Sequence, residues 1–549
     1  MKAFHVATVR PEREDAALRD LGSTRAEKRV RVLLIGAFLM TITAVPLLQT
    51  WREWRHRGGD GHSFAIVEFA SAFPHALSSA ASKFPEGLVP AVVSSNRSLK
   101  RDIHEFEQSL EKHSFLTNRF LPAVQWFVSR FLSLGNEKVF FGREGWLYYC
   151  PDVDYLVGTG FSIDNSKEGR GPIPAILKFR YDLAHRGIRL IVVPVPVKPM
   201  IEPEHLAPYS SVSEEILQNP SYATFEKELR SQGVEVLDIQ TILIREKKLS
   251  GRSQYLKTDT HWTPDAMEHC AELIAERLQK FLPEDFSRSE RELISGDCIS
   301  IKSQGDLVGM LDLPKSAPIF SPQEVVLRPR KQADGEHWKP SASSSVLLLG
   351  DSFTRIYSAP DLHWGRDSGL AERLSEHLGQ DVDVLAMNAG GSSSVRQSLA
   401  RSPERLKGKK AVVYEFSMRE LSGGDWKVTP LPEPFAQPSP HPIEGPITVT
   451  GTVAELSEIP APGSNPYRDF VRSIRFSIEE GATSRNVLVF IQAMRNKVLT
   501  AAESLEVGNK VTLHLIPWSQ VEQRYGSLNR SELQGDSADL PDVYWAVDY

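Results

Sequence analysis

Five short apolar runs, separated by stretches with helical periodicity, constrain this chain more than any other feature. They are IRLIVVPVPV from Ile188, VEVLDI from Val234, VLLLG at Val346 to Gly350, VDVLAMN at Val382 to Asn388 and AVVYEF from Ala411. Strands buried on both faces of a parallel sheet read as continuous apolar runs of this kind, because helices cover both sides. Helical patterns around Pro174 to His185, Ser213 to Gln232, Leu370 to Leu378 and Val395 to Leu406 supply the crossovers. The alternation predicts an α/β domain with a parallel sheet over residues 138–428. A chain of 549 residues exceeds one compact core, so further domains are expected.

After this domain the texture changes. Prolines recur at Pro430, Pro432, Pro434, Pro438, Pro440, Pro442 and Pro446, a composition that resists helix and central strand alike and marks residues 429–446 as an extended linker. From Ile447 the alternating patterns ITVTGTVAEL, SIRFSI, NVLVFI and KVTLHLI predict a small all-β unit over residues 447–549, a barrel or a sandwich. Its aromatic residues Trp518, Tyr525, Tyr544 and Trp545 suit either a sugar-stacking surface, as in a carbohydrate-binding module, or the core of a small β domain. Docking of another protein is an equal alternative for this unit.

Near the other end, Val32 to Trp51 carries no charge over 20 residues. At a helical rise of about 1.5 Å per residue, this matches a hydrocarbon core of about 30 Å. The run predicts a single transmembrane signal anchor over residues 32–51, with 1–31 cytoplasmic and 52–137 forming a periplasmic stalk. A cleaved signal peptide is the rival, but the apolar stretch and its leader are long and no clear small-x-small cleavage site follows. This puts the protein in the inner membrane with its globular part in the periplasm. The rest of the composition, 41% hydrophobic and 24% charged, belongs to a mostly water-exposed chain. A net charge of -6 argues against nucleic acid as a partner. Cys150, Cys270 and Cys298 have no metal-knuckle or C-x-x-C spacing. They read as buried thiols, or as one disulfide with one thiol left over. No metal and no cofactor is expected.

Chemistry concentrates in two motifs. In VLLLGDSF a buried strand runs into Gly350, Asp351 and Ser352, putting the serine at the carboxyl edge of the sheet, where open α/β folds keep reactive groups. The helix start that follows offers backbone N–H donors to a developing oxyanion, although a serine here also suits a plain helix cap. The second motif, KTDTHWTP, sets Asp259 and His261 two residues apart, so both side chains of an extended segment face one way. An imidazole that takes a proton from serine needs a carboxylate to fix its tautomer. Alone, Asp259 or Thr263 would serve equally well as a helix cap beside a surface histidine. Trp262 is expected to pack beneath the site or to contact a sugar.

Taken together, D-x-H-W-T-P and, about ninety residues on, an apolar strand ending in G-D-S-F resemble the AlgJ/AlgX-like family of alginate O-acetyltransferases. FFGREGWLYY at Phe140 to Tyr149, VVPVPVKPMIEPEHL from Val192 and YEFSMREL at Tyr414 to Leu421 resemble further blocks of the same family. The resemblance covers about Lys138 to Leu421. It implies an SGNH-hydrolase-like fold in which the acid and histidine precede the serine. Ser352 would carry the acyl group, His261 would act as base and Asp259 would orient it. The oxyanion donors would be the N–H groups of Ser352 and of Gly390 in NAGGSS, with Asn388 close by. Where ordinary SGNH enzymes use a G-x-N-D asparagine, this strand ends in Glu415 to Arg419. Arg419 would bind substrate or pair with Glu415, and Lys198 would be a site lysine or a loop charge. The implied activity is acetyl transfer to an exported polysaccharide, with a multipass membrane acyltransferase as donor partner. The alternatives are a carbohydrate acetyl esterase and a non-catalytic glycan-binding scaffold of an export complex.

Overall fold

The computed structural model describes residues 28–55, scattered positions up to 114, and 115–547 apart from 162–169, 207–216, 283–292, 433–445, 461–466, 534–539 and a few further positions. Most of the expected stalk and most of the proline linker therefore lie outside the described residues. The described residues fall into two units, divided between Ala123 and Val124. In the first, the apolar run lies within a helix, Lys28–Arg55, whose side chains at Val32, Leu33, Ile35, Phe38 and Met40 are exposed. Among the described residues, no helix is long and apolar enough to cross a membrane, so the anchor expected over 32–51 is not shown.

The second unit begins its core with the expected parallel sheet. Its strands are β1 (Arg189–Val195), β2 (Glu235–Val236), β3 (Val346–Gly350), β4 (Asp383–Ala386) and β5 (Ala411–Ser417), in the spatial order β4-β3-β5-β1-β2. Every pairing is parallel, with Ala411 opposite both Arg189 and Val346. All residues of β3 and β5 are buried, as their unbroken apolar runs require. The chain winds outward from β1 to β2 in one direction and from β3 to β4 in the other. That reversal opens a crevice at the carboxyl ends of the central strands. Pro172–Ala184 (α1) and Pro264–Gln279 (α2) pack against the sheet through Ile176, Phe179, Cys270 and Ile274.

The C-terminal unit is a closed barrel. Strands β6 (Ile447–Leu456), β7 (Phe470–Glu480), β8 (Thr483–Arg495), β9 (Lys510–Pro517) and β10 (Val543–Ala546) follow the circuit β8-β10-β9-β6-β7, and β7 pairs back onto β8. Closure leaves these strands with no open edge, one of the few ways a small β domain avoids sticking to itself. Val453, Phe476, Val489, Leu513 and Leu515 fill the interior. Trp518 and Trp545 belong instead to a second buried cluster with Phe490, under the helix Trp518–Tyr525. Tyr544 is buried as well, so Trp518, Tyr544 and Trp545 are core residues, and Tyr525 is half-buried against that core, stacked on Trp545 at 4.0 Å. The barrel is tied to the α/β domain by a buried Arg401–Glu532 ion pair (3.2 Å) and by bonds from Arg355 to the Ser527 carbonyl (2.9 Å) and from Lys427 to the Leu533 carbonyl (2.7 Å).

Cys270 is buried, Cys150 is half-buried and Cys298 is exposed; all three are free thiols. The expectation of uniform burial therefore fails at Cys298 and, in part, at Cys150.

Candidate active site

Ser352 opens a single helical turn, α3 (Ser352–Arg355), directly after β3. Asp351 caps this turn by accepting from the N–H of Phe353 (2.8 Å), and its other oxygen accepts from Ser417 N–H at the end of β5 (3.1 Å). Glu415, buried on β5, accepts from Asp351 N–H (3.0 Å) and from the Thr354 hydroxyl (2.8 Å). Burial, and then the neighbouring Asp351 charge, push the Glu415 carboxyl well above its ordinary range. A Cβ on Gly350 would stand 2.1 Å from Thr354 Oγ1 and 2.8 Å from Glu415 Oε2, so the turn closes only over glycine.

The catalytic line is continuous. Ser352 Oγ lies 2.8 Å from His261 Nε2, and His261 Nδ1 lies 2.6 Å from Asp259 Oδ1. All three side chains are buried. With Nδ1–H donating to the carboxylate, Nε2 is left as the acceptor for the serine proton. No sequence pattern hints at what holds Asp259. Its second oxygen accepts from Trp364 Nε1 (2.8 Å) and from Asp306 N–H (2.9 Å). Burial raises the Asp259 pKa, but the His261 charge and these hydrogen bonds outweigh it and leave the carboxyl at about 2. His261 moves the other way: burial lowers it, yet Asp259 and then Asp306 bring it above its ordinary 6.5. Asp306 holds the intervening residue, accepting from Thr260 N–H (2.9 Å) and its hydroxyl (2.6 Å). Burial and the Asp259 charge push it up to about 6.

Trp262 is fully buried and meets Phe353 edge-on at 5.3 Å, the packing role among its two expected ones. Lys198 is neither a loop charge nor a substrate contact. It is buried, and its three N–H donors are spent on the carbonyls of Leu147 (2.6 Å), Lys257 (2.9 Å) and Asp259 (3.0 Å), pinning FFGREGWLYY to KTDTHWTP. Burial brings it down to about 7. Arg419 does pair with a carboxylate, but with Asp152 (2.9 Å) and not with Glu415. Its guanidinium lies 5.6 Å from the Phe353 ring, next to the nucleophile.

In NAGGSS the N–H of Gly390 donates to Met387 O (3.0 Å), so in this state it is not free for an oxyanion. A Cβ on Gly390 would stand 2.9 Å from Met387 Cβ, and one on Gly391 would stand 3.1 Å from Asp351 Oδ2. Ala389 adopts a left-handed φ of 55°, a strain that clusters at functional loops. Asn388 donates to Asp361 (3.3 Å) and leaves its carbonyl oxygen without a partner among the described residues. Ser352 N–H, as the first of a helix, has no acceptor within that helix.

Two groups of side chains have metal-like spacing among the described residues, Asp259–His261–Asp306 and Glu202–Glu204–His205. The first is the catalytic line itself. The second is answered by Lys247, which lies 2.6 Å from Glu202 and 2.5 Å from Glu204.

Residues 139–418 match the family model described as an SGNH hydrolase-like domain, acetyltransferase AlgX. Among curated relatives, a probable alginate O-acetylase AlgJ of Pseudomonas fluorescens is 30% identical over 293 residues, 52% of this chain and 69% of its own. The corresponding protein of Pseudomonas aeruginosa is 28% identical over 52% of this chain and 71% of its own. Among solved structures, the O-acetyltransferase domain of Pseudomonas putida AlgJ superposes with a TM-score of 0.39 at 24% identity, covering 52% of this chain and 92% of that one. With its Asp259–His261–Ser352 line inside the matched segment, the chain belongs to the AlgX family of SGNH hydrolase-like acetyltransferases.

Proposed function

We propose that the protein acetylates hydroxyls of an exported polysaccharide through an acetyl-Ser352 intermediate. The observation that carries this reading is the unbroken hydrogen-bond line from Asp259 to Ser352 in a buried site. Ser352 Oγ attacks the acetyl carbonyl carbon while His261 Nε2 takes its proton and delivers it to the departing group. The acceptor hydroxyl then attacks the acyl carbon and gives its proton to His261, and the Ser352–acyl bond breaks as the serine recovers a proton. Ser352 N–H meets the negative charge that builds on the carbonyl oxygen in both halves. The names of the relatives, alginate O-acetylases, support a glycan acceptor. The uncharged run from Val32 to Trp51 supports anchoring in the inner membrane with the catalytic domain in the periplasm. A multipass membrane acyltransferase would then present the acetyl group. A non-catalytic scaffold has no use for a serine aligned at 2.8 Å on a histidine that a carboxylate orients.

The test is incubation of the full chain in detergent with an aryl acetate, followed by mass spectrometry of the Ser352 peptide and addition of polysaccharide fragments. Acetyl-Ser352 that passes its acetyl group to the fragments is the expected result. A folded protein that never gains acetyl at Ser352 would refute the reading.

A further inference from the structure

One aromatic side chain of the C-terminal unit leaves its own core. Tyr467 lies three residues before β7, and its phenol is hydrogen-bonded to the Ser352 side chain, with Arg419, Asp351 and Asp306 as its charged neighbours. The residues after it are clamped. The Arg468 carbonyl accepts from Lys497 N–H (2.7 Å), and Asp469 accepts from Asn496 N–H (3.0 Å) and from the Gln492 side chain (3.3 Å). The other side of the contact is held as well, because Arg355, on the same turn as Ser352, donates to the Ser527 carbonyl of the barrel domain.

The supply of protons and lone pairs fixes what this phenol does. A serine hydroxyl has one proton and two lone pairs. The proton is aimed at His261 Nε2, so Tyr467 O–H donates to an Oγ lone pair. Burial pushes the phenol upward, so it remains a neutral donor at any working pH. Ser352 is only 1% exposed with the ring in place. A water that would hydrolyse an acyl-serine must stand within about 3 Å of the acyl carbon and within reach of His261. A phenol bonded to the Ser352 side chain stands beside that approach. A cavity of about 290 Å³, lined by Ala389 on one side and by Glu458, Phe470 and Asn529 on the other, lies between the same two domains.

We propose that Tyr467 is a specificity-determining residue, lent by the barrel domain to the α/β site, that shields acyl-Ser352 from water so that the acetyl group leaves to a glycan hydroxyl. This rests on the acetyl-serine reading above. The experiment compares the full chain with Tyr467→Phe and Tyr467→Ala. It measures the lifetime of acetyl-Ser352 without acceptor, the ratio of transfer to hydrolysis with polysaccharide fragments, and the rate at which an aryl sulfonyl fluoride labels Ser352. In Tyr467→Ala the acetyl-enzyme should hydrolyse at least about tenfold faster, the transfer ratio should fall, and sulfonyl labelling should speed up. Tyr467→Phe, which keeps the ring, should lie between. A wild-type lifetime, ratio and labelling rate in folded Tyr467→Ala would overturn the proposal and leave the acetyl-serine reading standing. A folded wild type whose Ser352 takes neither acetyl nor sulfonyl would overturn both.

Discussion

The two domains of the second unit spend their buried polar and aromatic residues differently. In the α/β domain Asp259, His261, Ser352, Asp351, Glu415, Lys198 and Arg419 are drawn to the carboxyl ends of the central strands, where each orients or charges another. In the barrel domain Trp518, Tyr544 and Trp545 are consumed by packing, whereas Tyr467 meets the nucleophile. Reactivity is thus built in one domain, and the other brings a single phenol to it. Substitutions in the first should change whether the serine is acylated, whereas a core substitution in the second should change only whether the barrel folds.

The sharpest way to break that contrast is Ser352→Ala, expected to lower ester turnover by a factor on the order of 10⁶ with no change in thermal unfolding. Asp259→Asn should cost about 10⁴-fold, because the amide stabilises the wrong tautomer of His261. The pH dependence comes next. His261 must be neutral to accept a proton, so kcat/KM should fall tenfold per unit below a midpoint that lies above the ordinary 6.5. Stability runs the opposite way. The contribution of a raised His261 is complete below its unfolded pKa and fades as pH climbs through the folded value. That of Asp259 is complete above its unfolded pKa near 3.8 and is lost as pH falls through about 2. A rate profile with its midpoint at or below 6.5 would contradict the geometry at Asp259. Trp364→Phe removes one N–H from that carboxylate and should slow turnover about tenfold, the equivalent of roughly 1.4 kcal/mol. Smallest in rate is Trp518→Ala. It should cost about 3 kcal/mol of barrel stability in a denaturant titration while altering turnover of the folded protein less than about twofold. A large loss of turnover there would show that the barrel core and the catalytic line are one unit.

Local patterns explain what the amino-acid order discloses. Asp259 and His261 share a short extended segment, and Ser352 follows a strand whose four apolar residues and closing glycine announce themselves, so the catalytic line is legible from residue order alone. The supporting residues are not, because their meaning arises only in three dimensions. Asp306 lies 47 residues from Asp259 and Trp364 lies 105 away, and neither sits in a pattern that points to a carboxylate. Arg419 and Glu415 are four apart, a spacing that brings side chains together on a helix. β5 is extended through Ser417, and the guanidinium reaches instead to Asp152, 267 residues earlier. The barrel's alternating strands are legible as a β domain. Its closure through β7 and β8 and the emergence of Tyr467 at Ser352 are not, since residue alternation carries no record of which strands meet.

The glycine that ends β3 has a consequence for how this lineage drifts. Position 350 lacks a side chain because Thr354 and Glu415 already fill the space one would need, and Glu415 in turn holds the backbone that delivers the nucleophile. No single step at 350 is neutral while the other two stand. A descendant that shortens Glu415 loses the hydrogen bond to Asp351 before it gains room for a larger residue. The three positions are therefore bound to be inherited as a block, and an alignment of descendants would show them either all kept or all replaced.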